Sequence, residues 1–275
     1  MIANAVSSPI TSEPGGRPGT ALITGASSGL GESFGRRLAS LGYDLILVAR
    51  REDRLRELAA VWMAKHDIRV EVEAADLSRD EDIIRVEGRI RARTDLTLLV
   101  NNAGFGAGGL FQGIDIEKQA DMIHVHVVAT ARLLAAVLPQ MVERGHGGVI
   151  NVASVAAFAV IPTSAMYGST KAWVVAFSRA VALGLRGTGV RVQALCPGFT
   201  ITGFHDTPEY KNFKRAAIPR FLWMKADDVV AASLRALEKR EKAVFIPGLA
   251  NRVLAWIPRL PFGAALGRRQ ARKRA

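Results

Sequence analysis

Thr20-Ala21-Leu22-Ile23-Thr24-Gly25-Ala26-Ser27-Ser28-Gly29-Leu30-Gly31 decides how this chain is read. The apolar run ends in a turn with glycine at 25, 29 and 31, and a segment of helical periodicity through Phe34, Leu38 and Leu41 follows at once. A strand that passes through such a turn into a helix gathers backbone N–H groups and a positive helix end, an arrangement suited to a pyrophosphate. Glycine is needed where a Cβ would block the turn or the approach of phosphate oxygens. The spacing is G-x-x-x-G-x-G, and ordinary tight turns use the same residues, so the turn takes its meaning from the rest of the chain.

Outward from that stretch, strand-like and helical runs alternate. Ala21–Thr24, Asp44–Ala49, Arg69–Ala75, Leu96–Asn101, Val149–Ala153, Val190–Leu195 and Ala243–Ile246 read as strands. Gly29–Leu41, Arg51–His66, Asp80–Arg93, Asp115–Arg144, Ala165–Leu185 and Asp227–Lys239 read as helices, the fourth with a break expected near Pro139. This order predicts an α/β fold, a doubly wound parallel seven-stranded sheet with helices on both faces. Mostly continuous apolar strands agree with burial on both sides. One domain is expected over 20–248, after a Ser/Pro/Gly/Thr-rich segment at 1–19 expected to be disordered, and before a basic, partly apolar tail at 249–275.

Composition excludes several classes. Of 275 residues, 49% are hydrophobic and 23% charged, as in globular proteins. Cys196 is the single cysteine, so no intrachain disulfide forms, and a small buried residue is the expected reading. Residues 1–19 lack the pattern of a signal peptide, and no uninterrupted apolar run approaches the length of a membrane span, which points to the cytoplasm. The net charge is +12, but seven basic residues and no acidic ones lie from Leu249 onward, leaving +5 on the rest. The high charge thus describes the tail and does not indicate nucleic-acid binding.

Tyr167 and Lys171, four apart in a predicted helix, share one face, and Ser154 lies thirteen positions before the tyrosine at a strand end. A phenol near an ammonium can move a proton that an isolated phenol, titrating near ~10, would hold, and a serine hydroxyl can hold a carbonyl oxygen. Thr24, Gly25, Asn101 to Gly104, Ser154 and Cys196 to Gly198 all follow predicted strands, at the edge where doubly wound sheets bind ligands. At the end of the second strand, where an acid would bind the 2′-hydroxyl of NAD, stand Arg50 and Arg51. Two guanidiniums suit a 2′-phosphate, so NADP(H) is favoured over NAD(H), with Arg50 the stronger candidate. The competing reading is a solvated arginine pair at a helix start, where the macrodipole disfavours it.

These segments, with Asn101-Asn102-Ala103-Gly104 and Pro197-Gly198, resemble a classical short-chain dehydrogenase/reductase from roughly Thr20 to Gly248. The resemblance implies that Ser154 orients a substrate carbonyl and Tyr167 donates or accepts the proton. It implies that Lys171 lowers the tyrosine pKa and binds the nicotinamide ribose, while hydride passes between nicotinamide and carbonyl carbon. The cofactor is expected along Thr24, Gly25, Ser27, Ser28, Gly29, Leu30 and Gly31. Asp76 and Leu77 would border the adenine, Asp76 as a helix N-cap being the alternative. Asn102, Ala103 and Gly104 would line the ribose and nicotinamide side, and Pro197, Gly198, Phe199 and Thr202 would close over the nicotinamide. Where the family usually carries an asparagine that holds a water linked to the lysine, this chain has His126, in His126-Val127-Val128-Ala129-Thr130. Imidazole can also bond water, but it is bulkier and titrates near ~6.5. No metal site is expected, since His124 and His126 point to different sides of a helix.

The implied activity is an NADP(H)-dependent oxidoreductase interconverting a ketone or aldehyde and an alcohol. The alternative, a non-catalytic nucleotide-binding sensor or scaffold, is opposed by the complete Ser154, Tyr167 and Lys171 set. Leu138-Pro139-Gln140-Met141 and Pro247 to Arg252 resemble the branch acting on acyl ketones, steroids and other apolar carbonyls. Phe204, Tyr210, Phe213, Phe221 and Trp223 line either a lid over an apolar substrate or a segment packed on its own domain. The long helices after Asp115 and Ala165 are implied to join a homodimer or homotetramer. In the tail, Val253, Leu254, Trp256, Ile257, Leu260, Phe262 and Leu266 precede Arg268 to Arg274 and suit peripheral contact with an anionic membrane. Packing of the apolar cluster on the domain or a partner subunit, or a solvated cationic end, are the competing readings.

Overall fold

β1 (Thr20–Thr24) is buried along its whole length, and its alternate side chains enter different layers. Ala21 and Ile23 join Phe34, Leu38, Trp62, Val230 and Leu234 on one face. Leu22 joins Ile83, Val86, Leu133 and Val137 on the other. A strand period of two therefore requires a helical layer on each side. Full burial of a side chain such as Phe34 contributes about 1.5–3 kcal/mol.

The computed structural model describes residues 18–207, 210, 215–239 and 242–256. Its strands are β1, β2 (Asp44–Ala49), β3 (Val70–Ala74), β4 (Leu96–Asn101), β5 (Gly147–Val152), β6 (Val190–Leu195), β7 (Thr200–Ile201), β8 (Met224–Lys225) and β9 (Val244–Phe245). Seven form one parallel sheet in the order β3-β2-β1-β4-β5-β6-β9. The doubly wound fold expected from the sequence is the fold observed. The chain winds outward from β1 to β3 and then crosses to β4 on the opposite side of β1. That reversal opens a crevice at the carboxyl ends of β1 and β4.

The helices are α1 (Gly29–Ser40), α2 (Glu52–Lys65), α3 (Asp80–Arg91), α4 (Ile116–Ile123), α5 (Ala129–Arg144), α6 (Ala165–Gly184), α7 (Ala226–Glu238) and α8 (Leu249–Trp256). The break expected near Pro139 does not occur, because Pro139 lies inside α5. The flanking Leu133, Leu134, Val137 and Met141 are buried, and this packing outweighs the hydrogen bond that proline forfeits. The interruption falls instead at a π-turn, His124–Val128, between α4 and α5. The whole run Ile116–Arg144 is long and apolar enough to cross a membrane, yet half of its most apolar window is buried inside the molecule.

Three features escaped the sequence reading. β7 and β8 pair Thr200 with Met224 and Ile201 with Lys225, which ties together the two ends of the 203–224 segment. β3 is an edge strand, and its Glu71 and Glu73 meet Arg85, Arg89 and Arg93 at 2.5–3.2 Å. Charge on an edge also opposes pairing with another chain. Finally, Leu249–Trp256, expected as the start of a tail, is helical and packs on the body, with Asn251 only 2% exposed. Of residues 1–19, Pro18 and Gly19 lie within the described residues, and the Thr97 hydroxyl donates to the Pro18 carbonyl at 2.7 Å. Residues 1–17 and 257–275, with Ile257, Leu260, Phe262, Leu266 and Arg268 to Arg274, lie outside them, as does the Trp256 side chain.

Candidate active site

The glycine turn is built by contact as well as conformation. Gly25 has φ +65°, and a Cβ on Gly31 would stand 2.2 Å from the Gly25 carbonyl oxygen. Thr24 Oγ1 accepts from the amides of Asn102 and Ala103, each at 2.9 Å, and the Asn102 side chain donates to the Thr24 carbonyl at 2.8 Å. The carboxyl end of β1 and the Asn102–Gly104 loop after β4 are thereby joined. Ser28 is the N-cap of α1 and makes no side-chain cap bond, while Ser27 is buried and Leu30 packs against the core. First-turn helix amides have no intrahelical acceptor, so α1 aims donors and a positive helix end at this crevice.

The two arginines after β2 differ. Arg50 is 75% exposed and reaches within 4.0 Å of Asp76 Oδ2. Arg51 folds back onto the glycine turn, donating to Ser27 Oγ at 3.0 Å and to the Ser27 carbonyl at 3.1 Å. The two guanidiniums thus have different partners. Asp44 is engaged with Arg69 at the opposite end of β2. Asp76 is not the N-cap of α3, which is Arg79; its carboxylate accepts from Ser78 N and Oγ, closing a turn. Leu77 is buried in the core.

Ser154 follows β5 and caps the 3-10 turn Val155–Phe158, its Oγ accepting from Ala156 N at 3.1 Å. Tyr167 and Lys171 lie on α6 as their spacing requires. Lys171 is 4% exposed, donates to the Val152 carbonyl at 2.9 Å and stands 5.8 Å from the centre of the Tyr167 ring. Burial brings the Lys171 pKa down to about 8. Burial also raises the Tyr167 pKa above its ordinary value, with hydrogen bonding to Ser154 acting in the opposite direction. Of the influences on the Tyr167 phenol, desolvation is the largest.

His126 is 1% exposed, inside the π-turn. Its Nε2 accepts from Phe105 N at 3.2 Å and its Nδ1 lies 2.9 Å from Thr170 Oγ1. Burial, then the Lys171 charge, holds it well below the usual histidine range, so the expected titration near 6.5 does not apply. His124 lies elsewhere, with Nδ1 3.8 Å from Asp80. On the far side of the crevice Thr202 stands against Gly29, and its Oγ1 accepts from Phe204 N. Pro197 and Gly198 follow β6, where the buried Asn251 of α8 abuts Gly198. Phe199 packs on Trp223 at 5.4 Å between ring centres. Phe204 lies 5.9 Å from Tyr167 and 5.4 Å from Tyr210, centre to centre, so Phe204 packs on the partly exposed tyrosine with Tyr210 beyond it; Phe213 lies outside the described residues. Sequence reasoning missed Thr170 and Asn251, whose roles depend on partners 44 and more than 50 residues away. It also missed the buried amide pair of Asn101 and Asn151, which bond at 2.9 Å between β4 and β5.

The short chain dehydrogenase family profile matches residues 19–211. The chain belongs to the short-chain dehydrogenase/reductase family, whose members are oxidoreductases acting on CH–OH groups. It is similar to the short-chain dehydrogenase from Sphingobium yanoikuyae solved in complex with NADPH, at 36% identity and a TM-score of 0.78, covering 92% of this chain and 94% of that one. It is also similar to the bulky-bulky ketone specific alcohol dehydrogenase from Comamonas testosteroni, at 33% identity and a TM-score of 0.75, over 86% of this chain and 89% of that one. Sulfoacetaldehyde reductase 2 from Chromohalobacter salexigens is 38% identical over 187 residues, 66% of this chain and 73% of that protein.

Proposed function

We propose that this protein is an NADP(H)-dependent oxidoreductase that interconverts a ketone or aldehyde and an alcohol, acting on an apolar substrate. The convergence of Ser154, Tyr167 and Lys171 at the sheet edge that also carries the glycine turn is the observation behind this reading. The residues fit a dinucleotide, because Gly31 packs directly on the Gly25 carbonyl and Gly25 on Asn102 and Ala103, a side-chain-free turn that brings the first-turn amides of α1 to the carboxyl edge of the sheet. When bound, that group supplies the hydride.

The chain's own residues manage the oxygen and its proton. Ser154 Oγ holds the carbonyl oxygen. Tyr167 stays protonated at neutral pH, since burial raises its pKa, and gives that proton to the oxygen in reduction. Lys171, anchored on the Val152 carbonyl, keeps a cationic head beside the phenol below pH about 8. Asn102 to Gly104 on one side and Pro197 to Thr202 on the other bound the site, and Phe204, backed by Tyr210, places an aromatic wall beside Tyr167. These rings, and the ketone specificity named for the Comamonas relative, support a bulky apolar substrate. Exposed Ile116, Ile123, Val142 and Leu183 on α4, α5 and α6 support a homodimer or homotetramer joined through those helices.

NADP(H) is favoured by Arg50, exposed and cationic where an acid would select NAD(H), and by the NADPH complex of the Sphingobium relative. Arg51 contributes by steadying Ser27. Arg50→Asp should weaken NADPH binding by about tenfold to a hundredfold, the worth of a charged hydrogen bond, with little change for NADH. Fluorescence titration with both cofactors measures this, and equal losses would remove Arg50 from the selection.

A further inference from the structure

We infer that His126 is a neutral strut that fixes the Gly104–Phe105 loop to Thr170 in the second turn of α6 and relays no proton during turnover, an inference that rests on the catalytic reading above. The direction of each bond follows from its partners. A backbone N–H only donates, so the Phe105 amide makes Nε2 of His126 an acceptor. The imidazole proton then sits on Nδ1 and points at Thr170 Oγ1, 2.9 Å away. Thr170 in turn donates its hydroxyl proton to the Tyr167 carbonyl at 3.0 Å. One directed chain thus runs from the loop after β4, through the π-turn, to the backbone of the tyrosine.

The surroundings agree. Gly104 leaves room for the ring, since a Cβ there would lie 2.7 Å from Nε2 and 3.4 Å from Lys171 Nζ. Phe105 and Tyr167 flank the imidazole at 6.0 and 5.8 Å between ring centres. The π-turn is itself the local irregularity that seats His126 in this buried position, between two regular helices. A second proton on Nε2 would break the bond to Phe105 and place a cation beside the Lys171 ammonium. Both ring nitrogens are committed to protein partners, so His126 is a positioning residue and not a station for water.

Nitrogen NMR of the full chain labelled at histidine reads the tautomer without substrate. An Nδ1–H imidazole with an accepting Nε2, unchanged between about pH 6 and 8, is expected. An Nε2–H form, or titration within that range, would overturn the strut whether or not the enzyme turns over. An intact tautomer in a chain inactive on every carbonyl would instead sink the catalytic reading and leave the strut standing. With activity in hand, His126→Ala and Thr170→Val should each lower kcat by about tenfold to a hundredfold, the usual cost of slight misplacement. The double variant should be no worse than the poorer single one, because both break the same chain. His126→Asn, whose amide can still donate to Thr170, should recover part of kcat and serves as well if the alanine variant does not fold. Multiplying losses in the double variant, or unchanged kcat in both single ones, would refute the inference.

Discussion

Lys171 illustrates what the site costs the fold. In the unfolded chain its amine stays charged up to about 10.5, whereas in the folded protein burial holds its pKa at about 8. The unfolded state therefore binds more protons between those values, and stability rises with pH across that window. Below pH 8 the penalty is present in full. Lys171→Met should stabilise the protein at pH 7 by about 2 kcal/mol, the desolvation relieved less the lost bond to the Val152 carbonyl, while turnover disappears. The advantage should shrink as pH rises through 10. Urea unfolding at pH 7 and 10 measures it, and a methionine variant less stable at pH 7 would show that the lysine stabilises the core it sits in. The identities and spacing of Ser154, Tyr167 and Lys171 were readable in the sequence, because a helix turn fixes what i and i+4 share. The state of His126 was not readable. It depends on the Phe105 amide and Thr170, which only the packed fold brings to the ring.

Among the elements, the junction of β1 and α1 sets the geometry of the crevice. Gly31 lies in an ordinary helical turn, yet its Cα faces the Gly25 carbonyl so closely that any side chain must displace the helix. Gly31→Ala should destabilise the fold by about 2–3 kcal/mol, the scale of overpacking, and weaken cofactor binding of either kind. Denaturant midpoints together with cofactor titration test this; an alanine variant normal in both would mean that the contact is readily relieved. Most elements were legible for a simple reason. Strands such as Leu45 to Val48 and Leu96 to Val100 are apolar because helices cover both faces, and the helices between them carry amphipathic faces. What could not be read depends on tertiary balance. Two-residue strands such as β7 leave no periodic signal, and Pro139 was overruled by the buried residues around it. The π-turn, which buries Val125 and His126, likewise has no signature in the sequence pattern.

At the scale of the whole molecule, basic residues gather near the carboxyl end of the sequence. Leu249 and Val253 of α8 are exposed and one helical turn apart, and Arg252 is exposed beside them. Beyond α8 the sequence adds six more cations and no acid, so we propose that this end meets anionic lipid, where each basic residue contributes about 1 kcal/mol. Replacing Arg268, Arg269, Arg272, Lys273 and Arg274 with glutamine should abolish co-sedimentation with anionic vesicles without altering turnover on soluble substrate. Equal, negligible pelleting of both proteins would exclude lipid contact. Truncation after Gly248 would be a poorer test, since it removes α8 and the Asn251 contact with Gly198. Tyr167 is proposed to move the proton that accompanies hydride transfer. NADPH oxidation followed across medium and long-chain ketones, steroids and aldehydes, for the parent chain and for Tyr167→Phe, decides it. The expected result is turnover of at least one carbonyl by the parent and a loss of at least about a hundredfold in the phenylalanine variant, with NADPH binding retained. Near-normal turnover in that variant on the same substrate would contradict it.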